Sequence, residues 1–178
     1  VCFIFLLIIK KNIGLDEFLK SDLEVSIEKV NNDSYLRVFE NSLSDTPLSH
    51  ENKSIIESSV DIVLDHENYN LKTGLNAYEN LTLRNSDRYS FVLPYYNFDR
   101  IFTADNIDGT FNLNSSGNNS LQSTNNLKSV VINDLNYQSK DFITNKGFIN
   151  NFNFYFKNLN TVAKNDSTYK NSPQISFS

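Results

Sequence analysis

From Asp22 onward the apolar residues recur at every second position, and this period constrains the fold more than any other feature. Successive side chains of a strand point to opposite faces, so such a run makes one apolar and one wet surface. In residues 22–30, Leu23, Val25 and Ile27 alternate with Glu24, Ser26 and Glu28. Val60, Ile62 and Leu64 alternate with Ser59, Asp61 and Asp65, with Val63 as the exception. After Glu67-Asn68, the residues Leu71, Thr73, Leu75 and Ala77 alternate with Asn70, Lys72, Gly74 and Asn76. Two runs joined by so short a turn predict a hairpin. Tyr89–Leu93 alternates again and ends at Pro94, and 109–114 is a further short strand. Residues 115–126 (SSGNNSLQSTNN) read as a polar loop. A long strand candidate spans 127–139, with Val130 and Ile132 falling on its polar side. Asn145-Lys146-Gly147 is a turn, and 148–159 follows as one strand with Phe152, Phe154 and Phe156 against Asn151, Asn153 and Lys157. Ile175 and Phe177 lie in a last strand. No segment after residue 22 has a helical period. The expectation is an all-β antiparallel up-and-down meander of about eight strands, each beside its chain neighbour.

Residues 1–9 (VCFIFLLII) form one apolar run that stops at Lys10-Lys11. As a helix it would cover ~14 Å, about half of a bilayer core. It lacks the basic region and cleavage motif of a secretory signal. A buried strand and a cut transmembrane helix are alternatives, with a fragment end or signal remnant preferred. Residues 12–21 read as a short helical or irregular link. The expected division is therefore 1–21, an apolar and linking segment, and 22–178, the β domain. The absence of Met suggests a processed chain or a fragment.

Composition excludes several classes. Sixteen basic residues against 21 acidic ones, with pI about 5.0, argue against nucleic acid as a partner, because phosphates demand a basic surface. One cysteine, Cys2, and two histidines, His50 and His66, exclude an internal disulfide and nearly exclude a transition-metal cage. About one residue in six is asparagine. Codon bias in an AT-rich genome accounts for part of this. The polar half of alternating strands and the turns between them account for the rest.

Two architectures fit the alternation: a membrane β-barrel and a soluble or surface-exposed all-β binding module such as an adhesin-type sandwich. Runs of about nine to thirteen residues exceed the usual strand of a soluble domain and match the nine to eleven needed to cross a bilayer. Aromatics cluster near run ends (Tyr69, Tyr89, Tyr95, Tyr96, Phe98, Tyr137, Phe148), as interfacial girdles would place them. Mean hydropathy of −0.40 is what a two-faced strand averages to.

No catalytic constellation is present, and no enzyme, cofactor or metal site is expected. Asp65 and His66 are strand neighbours and face opposite ways. Glu24 and Glu28 lie about 13 Å apart on one strand, too far for paired-carboxylate chemistry. Asp105, Asn106 and Asp108 lack the spacing of a calcium loop. In a barrel the polar positions Glu24, Ser26, Glu28, Asp61, Asn70, Lys72, Asn76, Asn151, Asn153 and Lys157 would face the lumen. Leu71, Leu75, Phe152, Phe154 and Phe156 would face lipid.

The run Asn32-Asp33-Ser34-Tyr35-Leu36-Arg37-Val38-Phe39 after a strand, and Arg88-Tyr89-Ser90-Phe91-Val92-Leu93-Pro94-Tyr95-Tyr96, resemble signatures of the LptD family of lipopolysaccharide-assembly outer-membrane proteins (organic solvent tolerance proteins). The segments 56–66, 69–81, 109–114, 125–137 and 147–159 resemble the strands between and after them, so the likeness covers about 22–178. It implies an open, curved part of a larger transmembrane β-barrel in the outer membrane of a Gram-negative bacterium. The parent barrel would take part in membrane biogenesis, moving lipopolysaccharide to the outer leaflet without covalent chemistry. Implied partners are lipopolysaccharide, outer-membrane lipid, a plug lipoprotein of the LptE type, and periplasmic bridge proteins that act through a domain this chain lacks. The gate strands of the family have no counterpart here, so no gate residue is carried over.

Overall fold

A computed structural model describes residues 3–43, 54–104, 107–122, 126–164 and 166–177. The strands are β1 (Ile4–Asn12), β2 (Lys20–Val30), β3 (Ile55–His66), β4 (Tyr69–Asn80), β5 (Tyr89–Ala104), β6 (Ile107–Gln122), β7 (Asn126–Ser139), β8 (Phe142–Ile143), β9 (Ile149–Asn150), β10 (Asn153–Ala163) and β11 (Asp166–Phe177). Two single-turn helices, α1 (Tyr35–Val38) and α2 (Glu40–Leu43), lie between β2 and β3. Nine strands form one antiparallel sheet in the order β1-β2-β3-β4-β5-β6-β7-β10-β11, and β8 and β9 form a separate two-stranded ribbon. The sheet is not closed, since β1 and β11 are its two edges. Among the described residues there is no second sheet of sandwich size stacked on it.

The register follows the alternation. Val25 lies opposite Val60 and Val60 opposite Leu75, while Ser26 lies opposite Ser59 and Ser59 opposite Asn76. A one-residue slip would set apolar against polar along the whole ladder. The β3–β4 hairpin turns through Glu67 and Asn68, with His66 opposite Tyr69.

Four expectations need correction. The sheet has nine strands rather than about eight, because β1 pairs with β2 from Ile4–Val30 to Asn12–Asp22. The apolar run is thus an edge strand of the same sheet as the rest. The strand at Tyr89 does not end at Pro94 but runs to Ala104. A register shift between Val92 and Tyr95 takes up Leu93 and Pro94, and a bulge is where a residue without an N–H fits a central strand. Residues 115–122 are strand, not loop. Their two faces are both polar, which hides the period, yet Ser116 pairs with Ile132 and Gly117 with Val131 in an unbroken ladder. Finally, the run 148–159 is not one strand: it breaks at Asn151 and Phe152, between β9 and β10. Part of the expected loop at 115–126 lies outside the described residues.

Fully buried apolar residues are few: Val30, Leu36, Ile56 and Leu81, with Ile4, Tyr35 and Leu43 packed around them. This cluster sits where α1 folds over one end of the sheet, here termed the helix end. The β3–β4 turn marks the other, hairpin end. Most remaining apolar surface lies uncovered on the sheet faces, including Leu75, Ile101 and Ile175.

Candidate functional site

Pairing sorts the expected site residues by face. Glu24 lies opposite Asp61 and Ser26 opposite Ser59. Asn70, Lys72 and Asn76 lie opposite Asp65, Val63 and Ser59. Glu28 continues the same face of β2, opposite Leu6. Farther along, Asn153 lies opposite Gln138 and Lys157 opposite Asp134, with the Lys157 ammonium 3.3 Å from the Asp134 carboxylate. Nine of the ten polar candidates therefore share one face. Leu71, Leu75, Phe154 and Phe156 share the other. Asn151 and Phe152 lie in the break between β9 and β10, where the Phe152 carbonyl still accepts from Ser139 N–H at 2.9 Å and its N–H donates to Ser139 Oγ at 2.8 Å. Asn151 donates to Asp141 at 3.1 Å, and Phe152 lies against Phe142 with ring centroids 6.0 Å apart.

On the polar face, Asp61, Gly74 and Tyr95 follow one another across three strands. The Tyr95 hydroxyl donates to Asp61 across the glycine. A Cβ at Gly74 would lie 2.5 Å from the Val60 carbonyl oxygen and 3.0 Å from the Tyr95 ring, and would also meet the Asp61 carboxylate. Glycine is what lets the ring cross the strand. Beside it, Asn76 donates to Glu57 at 3.1 Å and to the Tyr78 hydroxyl at 3.0 Å. These side chains border an open groove of about 550 Å³ that continues past Lys72 to Asn118 and Val130. Gly74→Val is expected to destabilise the fold by about 1–3 kcal/mol through overpacking. Urea unfolding in detergent reads the loss, and a change under about 0.5 kcal/mol, ordinary for a surface site, would contradict the close approach.

The opposite face is apolar along β3 from Ile56 to Leu64, broken only by Ser58. Eight steps of ~3.4 Å make this band about 27 Å long along the strand. At the hairpin end Phe102, Phe111, Tyr137, Phe154 and Phe177 stand directly opposite one another across five strands. Ring centroids are 5.2 Å apart for Phe102–Phe111, 4.8 Å for Phe111–Tyr137 and 5.2 Å for Phe154–Phe177. The next row holds Arg100, Leu113, Leu135, Phe156 and Ile175, with the Arg100 guanidinium over the Phe102 ring at 5.6 Å. Beyond it this half of the face turns polar, with Ser115, Asn133 and Asn158 in one row and Asn119 and Ser129 in another. Ser115 donates to Asn133 at 2.7 Å and shares a 3.2 Å hydrogen bond with the Tyr96 hydroxyl. Ser129 donates to Asn119 at 2.6 Å. This strip was missed from sequence, where asparagine and serine at both parities around 115–119 had suggested a loop.

A charged cluster on the same face closes the helix end. Glu79 is 7 % exposed. Its carboxylate accepts from Lys29 at 2.8 Å, from Arg88 Nε at 2.6 Å and from the Tyr89 hydroxyl at 3.2 Å. Arg88 also donates to Asp33 at 2.7 Å, and this hydrogen bond holds the Asp33 carboxyl below its ordinary range. Lys29–Glu79, 50 positions apart, ties β2 to β4, and Arg88–Asp33, 55 apart, joins the connection after β2 to the turn before β5.

Asp65 faces the polar side and His66 the other, where it stacks on Tyr69 with ring centroids 4.7 Å apart. Among the described residues no group of three His, Cys, Asp or Glu could hold a metal ion. Cys2, His50, Asp105 and Asn106 lie outside them. Among the described residues no helix is long and apolar enough to cross a membrane, which says nothing about strands. No family model, curated protein or solved structure matches the chain.

Proposed function

We propose that this chain is a wall segment of an outer-membrane β-barrel that moves lipopolysaccharide to the outer leaflet. The observation that carries the barrel is the single uncovered layer. Central strands of 12 to 16 residues set a mainly polar face against one whose apolar band, about 27 Å along the strand, would stand about 19–22 Å tall at the ~35–45° tilt of barrel strands, near the ~25 Å apolar band of barrels in bilayers. In that arrangement Leu71, Leu75, Phe154 and Phe156 face lipid, and Glu24, Asp61, Lys72, Asn76 and Lys157 line the lumen. The lipopolysaccharide cargo rests on the two motifs around Asp33 and Pro94. A plug lipoprotein of the LptE type would meet the polar face. Neither role involves covalent chemistry.

The polar strip at Ser115, Asn133 and Asn158 favours a second reading, in which the sheet stays in water as a surface-exposed binding module and a partner covers this face. Disrupting the gene in its host separates the two. Slowed arrival of newly made lipopolysaccharide at the cell surface supports the transport reading, and unchanged arrival overturns it.

A further inference from the structure

The connection between β7 and β10 leaves the sheet at the hairpin end and carries the β8–β9 ribbon. It is unusually apolar for an exposed element: Ile143 is 70 % exposed, Phe148 66 % and Ile149 63 %, with Phe142 and Phe152 also open. We infer that this ribbon dips into the headgroup boundary of a lipid bilayer as an interfacial anchor.

The occupant follows from how the apolar groups are distributed. Ile143 pairs with Ile149, so both point to one face, while Phe142, opposite Asn150, points to the other and meets Phe152. Phe148 extends the apolar surface to the turn. A protein groove covers one face of a ribbon, whereas an element apolar on both faces needs a surrounding that is apolar on all sides. Lys146 stands at the tip, where a long cationic side chain reaches back to headgroups, while Lys140 at the base is paired with Asp108 at 2.8 Å. The ribbon is also continuous with the aromatic row, since it leaves β7 two residues after Tyr137 and enters β10 next to Phe154.

The backbone limits the depth. The turn is satisfied internally: Thr144 N–H donates to the Phe148 carbonyl at 2.8 Å, Gly147 N–H to the Thr144 carbonyl at 2.9 Å and Phe148 N–H to Thr144 Oγ1 at 3.1 Å. The edges of a two-stranded ribbon remain unpaired, and unpaired amides are excluded from the hydrocarbon core. The anchor therefore stops at the headgroup and upper acyl level, about 5–10 Å deep.

This inference rests on the barrel reading, and the test separates the two. The chain has no Trp, so Phe148→Trp, Ile143→Trp and Leu75→Trp each create a single fluorophore. Each full-length variant is reconstituted into phosphatidylcholine–phosphatidylglycerol vesicles containing lipids brominated near the headgroup or near the bilayer centre. The expected result is a blue shift for Phe148→Trp and Ile143→Trp with stronger quenching by the shallow bromines, and quenching of Leu75→Trp by the deep ones. Quenching of Leu75→Trp while both ribbon variants keep their aqueous emission overturns the anchor and leaves the barrel standing. Ribbon emission quenched most by the deep bromines overturns the interfacial depth. No quenching at any of the three positions overturns both.

Discussion

Leu75→Arg is expected to lower stability in a bilayer by about 2–4 kcal/mol, the cost of an arginine at mid-depth on the lipid side of a barrel. Leu75 lies directly opposite Val60, halfway between Ile56 and Leu64. It is therefore at the centre of the apolar band. Asn118→Arg is the matched control. Asn118 is exposed on the polar face opposite Tyr95 and Val130, and a charge there should change stability by less than about 0.5 kcal/mol. Urea titrations of protein folded into vesicles measure both. Equal losses at the two sites would remove the distinction between the faces.

Glu79→Ala is expected to cost about 2–3 kcal/mol. Its carboxylate accepts hydrogen bonds from three side chains at 2.6 to 3.2 Å, and truncating a buried partner leaves cations without their counter-charge. Arg88 keeps Asp33 and the Lys29 side chain is half exposed, which holds the loss below that of a fully enclosed pair. Lys29→Gln should cost less than about 1 kcal/mol, as an exposed partner does. A double-mutant cycle between Glu79 and Arg88 isolates their share. A coupling near zero would show that the Glu79–Arg88 pair does not hold β4 to the turn before β5.

The hairpin β3–β4 and its neighbour β2 could be read directly, because one buried-type residue at every second position leaves a single self-consistent register. The rest failed for physical reasons that a one-dimensional pattern cannot carry. Residues 115–122 have no apolar parity, and β5 and β7 supply the pairing that makes them strand. Pro94 suggested a stop, but a bulge absorbed it, and that bulge sets Tyr95 opposite Gly74 so that its hydroxyl reaches Asp61. The run at 1–9 is apolar at both parities, so it shows no period even as an edge strand. The Glu79 cluster joins residues from β2, β4 and the turn before β5, and only the fold brings them together. The alternation runs through Asn151 and Phe152, although the strand is interrupted there. The motifs around Asp33 and Pro94 are where the resemblance lay, and they occupy the helix end and the β5 bulge.

The most direct test of a two-faced bilayer wall is a tryptophan scan along β4 in vesicles with bromolipids, one position at a time from residue 70 to residue 77, leaving out Gly74, where no larger side chain fits. The expected result is quenching with a period of two: strong at 71, 73, 75 and 77, weak at 70, 72 and 76, with the weak set quenched instead by aqueous acrylamide. Uniform aqueous quenching without alternation, in a chain that keeps its strand content, would contradict the membrane wall and leave the sheet in water.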